Sequence, residues 1–527
     1  MGSEMCIRDR NVRYPIGDQS FREIIRNGCV YVDKTTYIHR MVGENKYYFL
    51  SRPRRFGKSL LVSTLEHYFR GDRELFKGLA IDSLEPEEWK RHAVLHLDLN
   101  GQNYDREEAL HDQLNIHLDK WEAEYGSVID SEIASSRFRG VIESAFQKTG
   151  LQVVVLIDEY DKPIIDAQGN DELEKSLRNI LRGFYGVMKS CSSYLKFVFL
   201  TGVGKLGQMN VFSGLNNLRD ISMAPEYSAI CGITTDELVA NFREGIEDMS
   251  HAKGLTREET LQELKRHYDG YHFARDLKDV YNPFSLLNAF QDCNLGKYWY
   301  RTGTPTMLYE KLKNWDYPLD DLEDIVVYAD TLEDGDVMGD EIEVLFYYTG
   351  YLTIKKSITD DDGEKYVLGY PNLEVRSGFF NGLVKSSLGM NDRKRMDWVS
   401  RFRGAVTAGD IDGFLTLMKS FMAGNSYRTN PNTEIHYQDL VYIVSRLVGL
   451  EADVERATSD GRIDMVIDGP KSIYIIEFKL DKSPEAALRQ IEEKQYDLPY
   501  RALGKPIVKV GVNISTATRT LDSWIIR

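Results

Sequence analysis

The run Val153-Val154-Val155-Leu156-Ile157 constrains this chain more than any other segment. Five consecutive apolar residues, four of them β-branched, suit a strand buried on both faces. Such a strand belongs in the middle of a parallel sheet covered by helices. Less uniformly apolar or shorter runs at Tyr47–Leu50, Val94–Leu99 and Leu195–Leu200 predict further strands. Helical periodicity over 59–69, 106–149 and 171–189 predicts the intervening helices, the second ended by Gly150. Strands alternating with helices give an α/β fold with a parallel sheet.

Two motifs sit on that sheet. Ser51-Arg52-Pro53-Arg54-Arg55-Phe56-Gly57-Lys58-Ser59 lies between the first predicted strand and its helix and ends as a phosphate-binding loop ends. Gly57 lets backbone approach a phosphate, Lys58 reaches the β and γ phosphates, and Ser59 can ligate Mg²⁺. The pattern's first glycine is replaced here by Arg52, so the loop turns differently, with Arg54 and Arg55 available for phosphate. The central run ends in Asp158-Glu159. Asp158 is expected to hold the magnesium ion and Glu159 to polarise the attacking water. Thr201 ends the next strand and is a candidate for sensing the γ-phosphate, or simply caps that strand. Arg178, Arg182 and Arg219 are candidates for an arginine finger, and the sequence does not choose among them.

A second constellation lies near the C-terminus. Asp464 stands in Gly461–Ile467, and Glu477 and Lys479 stand two apart in Ile473–Lys479. A hairpin from about 452 to 479, turning at Asp468-Gly469-Pro470, puts the Glu477–Lys479 pair on one strand face. Two carboxylates beside a lysine suit Mg²⁺ or Mn²⁺ and the activation of water. A lone Glu-x-Lys would read as a solvated edge strand with a salt bridge. Asp464 thirteen residues earlier and the helix–hairpin–helix–strand order favour metal chemistry. Gln490 on the predicted helix 484–496 is a further candidate, Tyr496 a weaker one, and Glu434 an extra ligand.

Composition sets the frame. The 527 residues carry 66 Lys and Arg against 82 Asp and Glu, a net charge of −16, which excludes a generally cationic nucleic-acid coat but not a local basic groove. Residues 430–527 carry 13 basic and 15 acidic residues, so nucleic-acid affinity in that region must come from metal and local contacts. The five scattered cysteines argue against a disulfide framework, and no apolar run approaches the roughly 18–20 residues of a membrane span, so a cytoplasmic, non-membrane protein is expected. Residues 1–10 lack periodicity and read as a non-native tail. Asp360–Gly363 is a hairpin turn inside a winged-helix-like middle region, and residues 423–432 read as a linker. His267 and His272 read as packing around Tyr268–Tyr271, with a metal site the lesser alternative.

The chain resembles proteins with an AAA-ATPase-like domain, found mainly in bacteria. The matching segments are Val32–Thr35, Arg52–Ser59, Ile157–Asp161, Phe212–Asn217 and Tyr268–Phe273. Arginine in place of the first loop glycine is usual in that family. The C-terminal part resembles the PD-(D/E)xK nuclease domain often fused to it, with Asp464, Glu477 and Lys479 on the motif and Gln490 at a frequent helix position. The resemblance implies a P-loop core over 11–225, a helical lid over 226–335, a helical or winged-helix-like connector over 336–430 and a restriction-endonuclease-like α/β domain over 431–527. It also implies ATP and Mg²⁺ (or Mn²⁺) as cofactors and nucleic acid as partner, DNA favoured over RNA, with oligomerisation left open. The expected function is ATP binding and hydrolysis joined to metal-dependent phosphodiester cleavage, gated by nucleotide state. The alternative is a nucleotide-dependent switch or nucleic-acid-binding protein whose nuclease fold is inert.

Overall fold

The computed structural model describes residues 12–527 except 86, 88, 206–217, 303–307, 310–311, 313–321, 389–391, 424–440, 446–450 and 459–460. Residues 1–10, expected to be a non-native tail, the Phe212–Asn217 segment, Glu434 and nearly all of the expected linker lie outside the described residues. By compactness the chain divides into two units, Met1–Thr302 with Val326–Glu374, and Gly303–Ile325 with Val375–Arg527. The backbone therefore passes from one unit to the other after Thr302, Ile325 and Glu374.

In the first unit the strand expected at the middle of the sheet is an interior strand, one place from the edge, and Leu195–Gly202 takes the middle. Strands β1 (Tyr47–Ser51), β2 (Val94–Asp98), β3 (Val153–Asp158), β4 (Leu195–Gly202) and β5 (Arg219–Asp220) form one sheet in the order β2-β3-β4-β1-β5. Every pairing in it is parallel. Val153 through Ile157 are each 0% exposed, which answers why the run has no polar alternation. Burying each such side chain contributes about 1.5–3 kcal/mol. Helix α1 (Lys58–Phe69) packs on β2 and β3. The stretch 106–149 forms two helices, α2 (Glu107–Tyr125) and α3 (Ala134–Thr149), divided after Gly126. They pack with α4 (Asp171–Ser190), where the Phe138 and Phe184 rings stack at 4.4 Å.

After the sheet come α5 (Thr235–Asn241), α6 (Arg243–Lys253), α7 (Arg257–Tyr268) and α8 (Pro283–Asp292). Thr234 and Thr256 open two of them with reciprocal capping boxes. Their apolar faces share a core around Leu238, Phe242, Ile246 and Phe290. The middle hairpin pairs β7 (Thr353–Asp360) with β8 (Gly363–Gly369), preceded by α9 (Ile342–Thr349). A strand not foreseen, β6 (Ile325–Tyr328), completes this small sheet in the order β6-β8-β7.

The second unit is built on strands β9 (Glu451–Thr458), β10 (Gly461–Asp468), β11 (Ile473–Leu480), β12 (Ile507–Ser515) and β13 (Thr520–Ile526). They follow the order β13-β12-β11-β10-β9 and are antiparallel except for β11 with β12. What reads in the sequence as one long hairpin is thus a three-stranded meander. The parallel step is bridged by α10 (Pro484–Glu493), which begins on Ser483 as N-cap. Leu488 and Ile491 of that helix bury against Ile473 and Ile475.

Candidate nucleotide and nuclease sites

The first site forms where β1, β3 and β4 end together, the edge at which open parallel sheets bind ligands. The loop after β1 is held by its backbone: Ser51 N–H donates to Ser222 Oγ at 2.9 Å and Arg52 N–H to Gly202 O at 3.2 Å. Gly57 takes φ +95° as N-cap of α1, a conformation that a side chain would strain, and nothing lies within 4 Å of where a Cβ would be. The first-turn amides of α1 therefore begin at an open position. Lys58 is 4% exposed, and its Nζ donates to the carbonyls of Arg52 (2.9 Å) and Pro53 (3.3 Å). It also lies 3.8 Å from Glu159 Oε1. Glu159 has φ +55°, a costly conformation for a non-glycine residue that functional sites often hold.

Asp158 ends β3, almost fully buried, and accepts a short hydrogen bond from the Thr201 hydroxyl at the end of β4. Thr201, a candidate for phosphate sensing, is 0% exposed, and contact with a phosphate would require breaking that bond. Arg54 and Arg55 are exposed, with the Arg55 guanidinium 4.9 Å from the Phe284 ring centroid. Ser59 is half-buried in the first turn of α1. Among the arginine-finger candidates, Arg219 is bound by Glu44 (2.6 Å) and Glu226 (2.7 Å), and Arg178 by Glu174 (2.8 Å). His272 bonds the Ile354 carbonyl and Asp279, each at 2.6 Å, and His267 bonds the Glu263 carbonyl at 2.8 Å, as structural histidines do.

Arg52 has a role the sequence did not announce. It is 1% exposed and runs inward, donating to the carbonyls of Ser51 (2.9 Å), Ser222 (2.6 Å) and Tyr227 (3.2 Å), with its guanidinium 4.2 Å from the Phe273 centroid. The residue in place of the first loop glycine is a buried anchor. Asp161 was also not singled out. Its Oδ2 accepts the N–H groups of Val203 (2.8 Å) and Gly204 (2.9 Å), which fixes the turn leaving β4. Burial, and then the charge of Glu159, push its carboxyl well above the usual range. Its sequence signal was its place at the end of Ile157–Asp161, the acidic segment after β3 that carries part of the family resemblance.

The second site is built on β10 and β11. Met465 pairs with Ile476, and that antiparallel register continued by one residue sets Asp464 across from Glu477. A side-chain bond ties Asp464 to the strand that carries Glu477: Phe478 N–H donates to Asp464 Oδ2 at 2.7 Å. Glu477 is 0% exposed, and Lys479 Nζ donates to its Oε1 and to the Phe478 carbonyl, both at 2.9 Å. Glu477 and Lys479 continue the strand face that carries Ile473 and Ile475 toward α10. Gln490, on α10, donates from Nε2 to the Tyr496 hydroxyl at 3.4 Å. Burial raises the Tyr496 pKa, and the charges of Glu477 and Asp464 raise it further. The fold thus gathers Asp464, Glu477, Lys479, Gln490 and Tyr496. Two facing carboxylates are hard oxygen donors and fit a divalent ion of the magnesium type, which takes one or two protein carboxylates and completes its shell with water and phosphate. Among the described residues no group of three or more His, Cys, Asp or Glu could hold a metal.

A P-loop sheet with an acidic strand end, and a separate mixed sheet carrying Asp…Glu-x-Lys, define a nucleotide-binding and nuclease-type protein. The comparisons agree. A family model described as a predicted AAA-ATPase matches residues 15–212, and one for the PD-(D/E)XK nuclease superfamily matches residues 432–524. A protein of Azotobacter chroococcum mcd 1 described as "Uncharacterized protein in vnfD 5'region" is 35% identical over 525 residues, covering 98% of both chains. The chain belongs to this family of AAA-ATPase-like proteins with a C-terminal PD-(D/E)XK nuclease-superfamily domain. No helix among the described residues is long and apolar enough to cross a membrane.

Proposed function

We propose that the protein binds and hydrolyses ATP at the first site and cleaves nucleic-acid phosphodiesters at the second, with nucleotide state gating cleavage. The observation that carries the nuclease reading is the facing pair Asp464 and Glu477 with Lys479 bonded to Glu477 at 2.9 Å. When bound there, Mg²⁺ or Mn²⁺ supplies a Lewis acid and lowers the pKa of its water. Asp464 and Glu477 hold the ion, and Lys479 orients the nucleophile or neutralises charge developing on phosphate. Gln490 and Tyr496 orient the groups around the acids. DNA is the favoured substrate.

At the first site Lys58 exchanges its present partners, the Arg52 and Pro53 carbonyls, for the β and γ phosphates. Ser59 and Asp158 hold the nucleotide's magnesium ion. Thr201 orients Asp158 through the hydroxyl–carboxylate bond, and Glu159 orients the attacking water. Arg54 and Arg55, exposed on the loop, meet the phosphates from outside. Gating is supported by the repeated passage of backbone between the two units.

The test is cleavage of plasmid, linear DNA and RNA in Mg²⁺ or Mn²⁺, with and without ATP, beside Lys479→Ala. Cleavage that needs metal and vanishes in the variant is expected, with a rate that changes on adding ATP. Folded, ATP-binding protein that cleaves nothing would leave a nucleotide-dependent switch with an inert nuclease fold.

A further inference from the structure

The proposed gating needs a physical route out of the nucleotide loop, and one residue outside every motif touches that loop. Trp299, 6% exposed, donates from its indole Nε1 to the carbonyl of Arg54 at 3.0 Å. Arg54 precedes Lys58 by four residues, within the segment that must cradle phosphate. The backbone N–H of the same tryptophan donates to Glu374 Oε1 at 2.7 Å and lies 3.2 Å from Ser285 Oγ. Trp299 thus bonds the loop through its side chain and Glu374 through its main chain.

The positions of these residues in the chain give the contact its meaning. Trp299 stands three residues before Thr302, the last residue of the first unit before the backbone leaves it. Glu374 is itself the last residue before the backbone leaves again. One tryptophan, by its indole and its backbone amide, thus ties the loop to the chain just inside two of the three crossings. Packing reinforces the tie. Gly350 (φ +85°) has no room for a side chain, since a Cβ there would lie 2.8 Å from Pro53 Cβ. The Tyr351 ring lies 5.2 Å from Trp299. Phe56 of the loop packs edge-on against Tyr271 at 4.8 Å, and Asn372 bonds the Asp269 carbonyl at 2.8 Å. The loop, the Tyr268–Phe273 segment and residues 371–374 therefore form one packed cluster.

We infer that Trp299 and Glu374 are positioning residues of the nucleotide loop that transmit its occupancy to the chain crossings feeding the nuclease unit. The inference rests on the nucleotide-binding reading of the first site and names the route by which that site regulates the second. A phosphate entering the loop reorients the peptide groups around Arg54, and the Trp299 indole follows its acceptor. Trp299 N–H and Glu374 then move together, because a buried donor that parts from its acceptor leaves both groups unsatisfied.

The experiment uses the full-length protein and a slowly hydrolysed ATP analogue with Mg²⁺. Hydrogen–deuterium exchange is read at residues 298–302 and 371–376, and nucleotide affinity is measured in parallel. Trp299→Phe keeps the ring and loses the donor. Glu374→Gln keeps an acceptor, and Glu374→Ala loses it. Nucleotide is expected to change exchange in both segments of the unaltered protein. Trp299→Phe and Glu374→Ala should lose at least half of that change, and Glu374→Gln should retain it. Affinity should move only about threefold in Trp299→Phe, the scale of one neutral hydrogen bond. Unchanged exchange in the unaltered protein despite nucleotide binding would overturn the inference, as would an undiminished response in Trp299→Phe. Failure of the unaltered protein to bind nucleotide would overturn the nucleotide-site reading itself. Thermal melting of each variant separates loss of coupling from loss of folding.

Discussion

Arg52→Gly restores the glycine that begins most phosphate-binding loops, and the structure predicts harm from it. The side chain is 1% exposed and donates to three carbonyls at 2.6–3.2 Å. Hydrogen bonds from a charged group contribute about 1.5–3 kcal/mol each, and a desolvated cation–π contact such as that on Phe273 about 2 kcal/mol. The cost of burying the guanidinium, several kcal/mol, offsets much of this and is recovered when the charge is removed. Glycine, however, leaves the Ser222 carbonyl without this donor, leaves the Tyr227 carbonyl with the Ile230 N–H alone (3.1 Å), and opens a cavity against Phe273. Groups left unsatisfied in this way cost about 1–3 kcal/mol each. The net loss should be about 3–5 kcal/mol, with weaker nucleotide binding because the loop loses its anchor. Arg52→Lys should fall between, since a point donor cannot span the three carbonyls. Urea unfolding of the first unit, followed by limited proteolysis, reads the stability, and a fluorescent nucleotide reads the affinity. If Arg52→Gly resists urea as the native chain does and binds nucleotide as well or better, Arg52 is not an anchor and the account of the loop is wrong.

Glu159→Gln should leave nucleotide affinity within a few-fold and lower the hydrolysis rate by about 10²-fold or more, the usual contribution of a positioned acid–base group, as read by phosphate release. Equal slowing by Asp161→Asn would show that fixing the turn after β4 matters as much as the water-facing acid. Asp464→Asn should abolish Mn²⁺ binding at the second site by calorimetry and cleavage with it, leaving ATP hydrolysis unchanged. Stability should fall as pH rises from about 4.5 to about 7 and level off above that, because burial raises the Glu374 carboxyl from 4.5 to about 7. The folded state then holds that proton more tightly than the unfolded chain. Its contribution is complete below the unfolded value and lost as pH climbs through the folded one, about 3 kcal/mol in all. The groups around Glu374 include Ser285, the backbone amides of Tyr298, Trp299 and Tyr300, and the side chains of Tyr268, Tyr271 and Tyr298, and the tyrosines titrate far above this range. Glu374→Gln should flatten the urea-midpoint profile between pH 5 and 8, leaving the shifts of the same sign at Asp161 and Asp269.

Some parts of both sites were legible because their signal is local. A strand buried on both faces must be apolar throughout, so Val153–Ile157 announced an interior strand of the sheet and its acidic end. Period-2 alternation placed Glu477 and Lys479 on one face before any partner was known. Boundaries drifted where helical periodicity ran on across Gly126, where β13 followed β12 after a short turn, and where β6 joined a hairpin from a distant segment.

The sequence by itself determined the parallel sheet, the loop ending Gly57-Lys58-Ser59, and the Asp464, Glu477 and Lys479 set. Each is fixed by residue type at short spacing, and a strand or helix period converts that spacing into a face. Only the tertiary structure decided that Arg52 points inward, that Thr201 serves Asp158, and that Trp299 holds the loop. The Arg52 guanidinium meets carbonyls about 170 residues away, and Trp299 meets Arg54 across 245 residues. Hydrogen bonds between such partners leave no period and no spacing in the chain. They exist because burying a donor or a charge requires an acceptor within about 3 Å, and folding alone brings that acceptor near.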